Sequence, residues 1–206
     1  MHVRRTLIST TALAALLAGA APAAAVPAVP PPPPHGVSVA GQTAEHASLR
    51  PLVELITQRL LLADKVAAAK YGTTKPIDDP ARERALLDQV RQRARAAGLD
   101  PATAERFFRI QIETNKVVQR GLYARWDAHP EQRPHRRPDL DTEVRPQLDR
   151  ITDEAVHQLK DTEQVRTPTS PCHMQLSTAM TAARIQHHLD ALHWGALQRS
   201  VTSICG

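Results

Sequence analysis

Aromatic side chains are scarce in this chain, with two Trp, two Tyr and two Phe in 206 residues. Proteins that bind nucleic acid stack bases on aromatics or present a dense basic stripe. With 26 basic against 21 acidic side chains the chain offers neither, and a nucleic-acid partner is excluded. Glycine is also rare, eight in all. None is grouped into a phosphate cradle or a nucleophile elbow, so no covalent catalyst is legible. No apolar run reaches the ~20 residues that cross a bilayer, and no stretch alternates as a strand would. The two cysteines, Cys172 and Cys205, lack a histidine at ligand spacing and make a poor metal site. No metal site is expected.

What is present starts with an export pattern. Residues 1–25 have a basic start (Arg4, Arg5), an apolar stretch from Thr11 to Ala21 and the small-residue finish Ala23-Ala24-Ala25, which together read as a cleaved signal peptide by the general or the twin-arginine route. Its removal takes away two arginines and no acid, leaving 24 basic against 21 acidic residues, with no stable membrane anchor. Residues 26–47 carry Pro30 to Pro34 and read as a disordered, semi-rigid proline-rich linker. An oxidising exterior favours joining Cys172 to Cys205, two free thiols being the alternative; the bridge would stabilise the fold by roughly 3–4 kcal/mol on the chain-entropy model.

The remainder reads as one all-α domain. Residues 48–71 carry Leu52, Leu55, Ile56, Leu60, Ala63, Val66 and Ala67 on one helical face. Asp79-Pro80 and Asp100-Pro101 are each an N-cap followed by a first-turn proline, and Gly98 ends the helix between them. The helix from Pro101 reaches about Trp126. A proline-broken basic loop, His129 to Pro138, precedes a fourth helix starting near Asp141 and Thr142, with Pro146 tolerated in its first turn. Residues 161–206 form a helical extension packed on the 48–160 core. A straight helix from Cys172 to Cys205 would separate them by about 50 Å, so the tail must fold back. The bend is expected near His188 to Asp190, with Asp190 as cap.

Arg59, Lys70, Asn115 and Gln119 sit on helix faces where hydrocarbon is expected. Arg59 and Lys70 are eleven residues apart, about three turns, so they share a stripe with Ala63 and Val66. Asn115 and Gln119, spaced i, i+4, lie in the stripe of Phe108, Ile112, Leu122 and Trp126. Cations and amides aimed into one interior call for an anionic guest; the plainer reading has Arg59 and Lys70 snorkelling to solvent while the two amides pair. His187, His188 and His193 read as a polar bend, and Arg133, His135, Arg136 and Arg137 as a solvated loop. The segment Pro76 to Arg84 tips the balance toward a site by placing Arg82 and Glu83 in the first turn of the second helix, close to Lys70.

At this point the chain resembles the all-helical chorismate mutases, and more closely their exported subclass, in the order Arg59, Lys70, Asp79, Arg82-Glu83, Asn115, Gln119, over Leu49 to about Leu159. The tail with its cysteine pair is similar to that of the secreted mycobacterial members. The resemblance implies a chorismate-mutase-type bundle with a disulfide-linked C-terminal hairpin, a cofactor-free rearrangement of chorismate to prephenate, and a homodimer. It implies that Lys70 and Gln119 donate to the ether oxygen and that Arg59 and Arg145 clamp the carboxylates. It implies further that Arg82 acts on the side of Lys70, that Glu83 and Asp79 contact the ring hydroxyl or hold it through the backbone, and that Asn115 stands where the family more often has a small hydroxyl residue. Arg145 is reached by a one-residue shift in the proline-rich loop, with Arg137 and Arg150 as its alternatives. Some relatives carry glutamate in place of Gln119. The rival readings are an isochorismate pyruvate-lyase and a non-catalytic exported helical adaptor or chaperone.

Overall fold

Leu52, Val53, Ile56, Leu60, Ala63 and Ala67 recur every three or four residues and are all buried, which makes α1 (Arg50–Lys70) the element around which the others pack. The computed structural model describes residues 47–206. The expected signal peptide (1–25) and nearly all of the proline-rich linker (26–47) lie outside the described residues. The described residues form six α-helices and two short turns, with no strand.

The Asp-Pro punctuation acts as expected. In α2 (Pro80–Ala96) the Asp79 carboxylate accepts from the Arg82 amide at 3.0 Å. In α3 (Pro101–Ala128) Asp100 accepts from the amides of Ala102 and Thr103. Gly98 closes the α2–α3 turn at φ +66°, where a side chain would be strained. α3 packs along both α1 and α2, and α4 (Arg145–Asp161) returns along α1. Phe108, Val118, Ile151 and Leu159 are fully buried in the core between them.

The fourth helix departs from expectation at its start. Residues Leu140–Val144 form a wide π-type turn capped by Asp139, and regular α-helix begins only at Arg145. Pro146 has no amide hydrogen to donate to the carbonyl of Thr142, and its ring crowds that carbonyl, so a regular α turn cannot form there.

The tail folds back as a hairpin of α5 (Ser170–Gln186) and α6 (Ala191–Ser200). Asp190 caps α6 by accepting from the His193 amide at 2.9 Å, and Cys172 and Cys205 are bonded with Cα atoms 5.9 Å apart. The hairpin packs on α1 and α3. Gly121 of α3 makes room for it, since a Cβ there would lie 2.6 Å from Leu192 Cδ1.

The histidines of the bend are not merely solvated. His187 Nε2 lies 3.0 Å from both carboxylate oxygens of Glu54. His193 is buried between two acids, with Nδ1 2.7 Å from Asp190 and Nε2 2.8 Å from Asp64. Arg125 of α3 holds the second oxygen of Asp190 at 2.9 Å. Spacing along one helix could not reveal this, because the partners Glu54 and Asp64 lie on α1. Hydrogen bonding to Asp64 raises the His193 pKa against the effect of burial, with Asp190 adding to the rise. A raised folded-state pKa adds stability that is complete below about pH 6.5 and fades as pH climbs through the folded value. The difference in Tm between the wild type and His193→Gln should therefore be larger at about pH 6 than at about pH 9, as read by circular dichroism melts. An equal difference at both would contradict a charged imidazole.

The basic loop is likewise engaged. Arg133 Nε donates to the Trp126 carbonyl and lies over the Tyr71 ring, Arg136 pairs with Glu143, and Arg137 donates to the Tyr71 carbonyl.

Candidate active site

The polar side chains that looked misplaced converge on one cleft between α1, α2, α3 and α4, enclosing about 140 Å³. Val66, Leu86, Ile112 and Leu148 form its apolar walls; Arg59, Lys70, Asp79, Arg82, Glu83, Asn115 and Gln119 line it, joined by Lys116, Asp149 and Thr152.

Arg59 is only 7% exposed. Its Nη1 donates to Thr152 Oγ1 at 3.2 Å, its guanidinium carbon lies 5.5 Å from the Phe108 ring centroid, and its Nε has no partner among the described residues. Burial pulls its pKa down to about 10, opposed by Asp149 and assisted by Arg82, so it remains a cation at neutral pH. The snorkelling alternative fails for this residue. Lys70, at the end of α1, is half-buried and donates to the Pro76 carbonyl at 2.8 Å. Burial lowers its pKa, with Asp79 opposing and Arg145 adding to the effect.

The amides pair along α3 rather than across the core. Gln119 Nε2 donates to Asn115 Oδ1 at 2.8 Å, and Asn115 Nδ2 donates to the Arg59 carbonyl at 3.3 Å. Gln119 is 3% exposed, and its Oε1 has no partner among the described residues. One hydrogen of its amino group remains for a guest.

Glu83 accepts from the Asp79 amide and from Lys116 Nζ, each at 3.3 Å. Lys116 is buried and further paired with Glu113 at 2.7 Å and Asp78 at 3.2 Å. Its charge is thus met within the protein. The cations that face the cleft without such neutralisation are Arg59, Lys70 and Arg82.

Arg145 does not line this cleft. It borders an adjoining cavity of about 310 Å³ that shares Val66, Lys70, Asp79, Arg82 and Leu148 with the first, and it is paired with Asp141. The alternatives line neither cavity: Arg137 donates to the Tyr71 carbonyl and Arg150 pairs with Glu154 on an exposed face. Lys116, Asp149 and Thr152 escaped the sequence reading. A signal was there for α4, because Arg145, Leu148, Asp149 and Thr152 follow the i, i+3, i+4, i+7 spacing of one helical face.

An all-helical bundle whose cleft offers fixed cations and amide donors, with no hydroxyl or thiol held by a base among the described residues, defines a class that acts on a small anion by electrostatics and shape. The comparisons with known proteins narrow this class. The profile of the family described as chorismate mutase type II matches residues 50–120. A secreted chorismate mutase of Mycolicibacterium smegmatis is 32% identical over 172 residues, covering 82% of this chain and 93% of that protein. One of Mycobacterium tuberculosis is 29% identical, covering 77% and 79%. The crystal structure of chorismate mutase from Burkholderia thailandensis superposes with a TM-score of 0.72 at 39% identity, covering 76% of this chain and 98% of that one. The chain belongs to the type II chorismate mutase family.

Proposed function

We propose that the cleft binds chorismate and accelerates its rearrangement to prephenate, with Lys70, Gln119 and Arg59 as the catalytic residues. The observation that carries this is Arg59: a buried guanidinium with an open Nε in a cleft where its only described hydrogen-bond acceptor is neutral is incomplete without an anion. Chorismate is a dicarboxylate. As its ether bond breaks, negative charge builds on the ether oxygen, and no proton has to move. Lys70 and Gln119 donate to that oxygen, and Arg59 with Arg82 holds a carboxylate. Asp79 and Glu83 meet the ring hydroxyl, and Asn115 keeps Gln119 in register. Arg145 reaches the second carboxylate by leaving Asp141. A 10⁶-fold acceleration needs about 8 kcal/mol. One fixed donor in a dry site supplies about 2.7–4 kcal/mol, so two donors and an enforced compact conformer are sufficient.

The test is chorismate depletion by the mature protein with detection of prephenate, run in parallel on isochorismate with detection of pyruvate. Prephenate formation supports the reading. Pyruvate release from isochorismate alone assigns the lyase, and no turnover of either leaves an adaptor. Because an amide donates in one protonation state, turnover should be flat from about pH 5 to pH 7. In Gln119→Glu it should fall as pH rises, since an ionised carboxylate only accepts. A steep fall in wild-type kcat over that range would remove Gln119 as the donor.

Export through residues 1–25, with cleavage near Ala25 and a periplasmic or secreted destination, is part of the same proposal. It is supported by the composition of that segment, by the relatives named as secreted and by the finding that no described helix is long and apolar enough to cross a membrane. A homodimer is also proposed, supported by the family resemblance and by the exposed Met174 and Ile185 on α5; sedimentation of the mature chain tests it.

A further inference from the structure

We propose that Thr152 is the positioning residue that aims Arg59 at the substrate carboxylate, so that α4 sets carboxylate affinity through a single hydroxyl. This inference rests on the chorismate reading and adds to it a residue that acts through Arg59 rather than on the reacting atoms.

Thr152 has no exposed surface. Its hydroxyl hydrogen is committed to the Leu148 carbonyl at 2.7 Å. A hydroxyl has one hydrogen and two lone pairs, so toward Arg59 it can only accept, and Nη1 lies 3.2 Å away. Among the described residues this is the only hydrogen-bond acceptor that the guanidinium has. The remaining restraints on Arg59 are less directional. The Phe108 ring packs against it, and Asn115 fixes its backbone carbonyl rather than its side chain. Asp149 supplies opposing charge from one turn earlier on α4.

That arrangement makes the neutral hydroxyl more useful than a carboxylate would be. A neutral acceptor orients the guanidinium while leaving its charge for the guest, whereas an ion pair would neutralise it and compete with the substrate. With the hydroxyl removed, the orphaned Nη1 hydrogen is left with the Asp149 carboxylate, which lines the same cleft and whose charge already acts on the guanidinium. The guanidinium would turn toward it, and substrate would then have to break an internal ion pair. The effect falls on binding of the carboxylate, before and during the chemical step alike, so KM rises while kcat holds.

Steady-state kinetics on Thr152→Val, Thr152→Ser and the wild type provide the test. In Thr152→Val, KM for chorismate should rise about 10- to 100-fold, the scale of a hydrogen bond to a charged group, with kcat within about threefold. Thr152→Ser keeps the hydroxyl and should return KM to near the wild-type value. A purely structural threonine gives the opposite pattern: loss of active protein with KM unchanged, and no rescue by serine, which lacks the buried methyl. Either unchanged KM in the valine variant or failure of serine to rescue overturns the proposal. Should Thr152→Val not fold, Thr152→Ala removes the same hydroxyl and is judged by the same split. A separate readout is independent of turnover, namely the NMR signal of the Arg59 Nη1 hydrogens, the donors to Thr152, in nitrogen-15-labelled free protein. It should shift in the valine variant and return in the serine variant, and an unchanged signal in the valine variant overturns the positioning role. A wild type that consumes no chorismate defeats the proposed function, while the NMR result still decides the role of Thr152.

Discussion

Lys70→Ala is expected to lower kcat by about 10²- to 10³-fold, the loss measured for one fixed donor at a developing oxyanion, with KM changed by much less. The ammonium sits at the C-terminal end of α1, where the Pro76 carbonyl holds it at 2.8 Å, so its direction is set before substrate arrives. Burial already disfavours its charged form. A group whose charge is poorly solvated gains most when an opposite charge appears beside it, and here that charge appears as the ether bond breaks. The ground-state ether oxygen carries little charge and draws little on it, which is why the loss falls on kcat. Steady-state kinetics with circular dichroism as a check on folding would decide it. A kcat within about threefold of wild type would eliminate Lys70 as the donor.

The second large effect runs in two directions at once. Arg59→Met should lower kcat/KM by about 10³-fold or more, with a raised KM, and should also raise Tm. The activity loss follows from removing the charge proposed to hold a substrate carboxylate in the cleft. The gain in stability follows from the depressed pKa. Arg59 is held at about 10 from an ordinary 12.5 chiefly by burial, which means that the folded state disfavours its charge by on the order of 3 kcal/mol at neutral pH. Methionine keeps a flexible apolar chain against Phe108, leaves Thr152 with its bond to the Leu148 carbonyl, and does not have to desolvate an ion. Such a pairing of weaker function with greater stability is typical of a site built from strained or underpartnered groups. A variant that melts lower than wild type while keeping kcat/KM would refute both halves.

How much of this was legible beforehand depended on the distance over which the deciding contact acts. Asp79-Pro80 and Asp100-Pro101 name helix starts because the cap and its amides are two or three residues apart. The cleft was legible for a similar reason: eleven-residue and four-residue spacings put Arg59 with Lys70 and Asn115 with Gln119 on shared stripes. The spacing could not say what each charge would meet. Arg59 is oriented by Thr152, 93 residues away, and His193 is held by Asp64, 129 residues away; helical spacing puts Thr152 on a face with Arg145 and Asp149 but names neither long-range pairing. Asn115 and Gln119 both line the cleft, as their shared stripe suggests, but their direct bond along α3 depends on side-chain geometry. At α4 the proline is legible but its effect falls elsewhere, because Pro146 affects a carbonyl one turn upstream rather than its own position. Arg145 shows the remaining gap, since its pairing with Asp141 depends on where that wide turn leaves the helix start.

The bond between Cys172 and Cys205 also imposes an order on the life of the molecule. α5 and α6 back the helix that carries Arg59 and Lys70, and before oxidation they are held there by packing, by Arg125 and by imidazole contacts to Glu54 and Asp64. A newly made chain in a reducing interior keeps a tail that can swing open, whereas the same chain in oxidising surroundings has it latched. Closing the Cys172–Cys205 bond is thus a covalent locking step on an already folded hairpin, one that only oxidising surroundings complete.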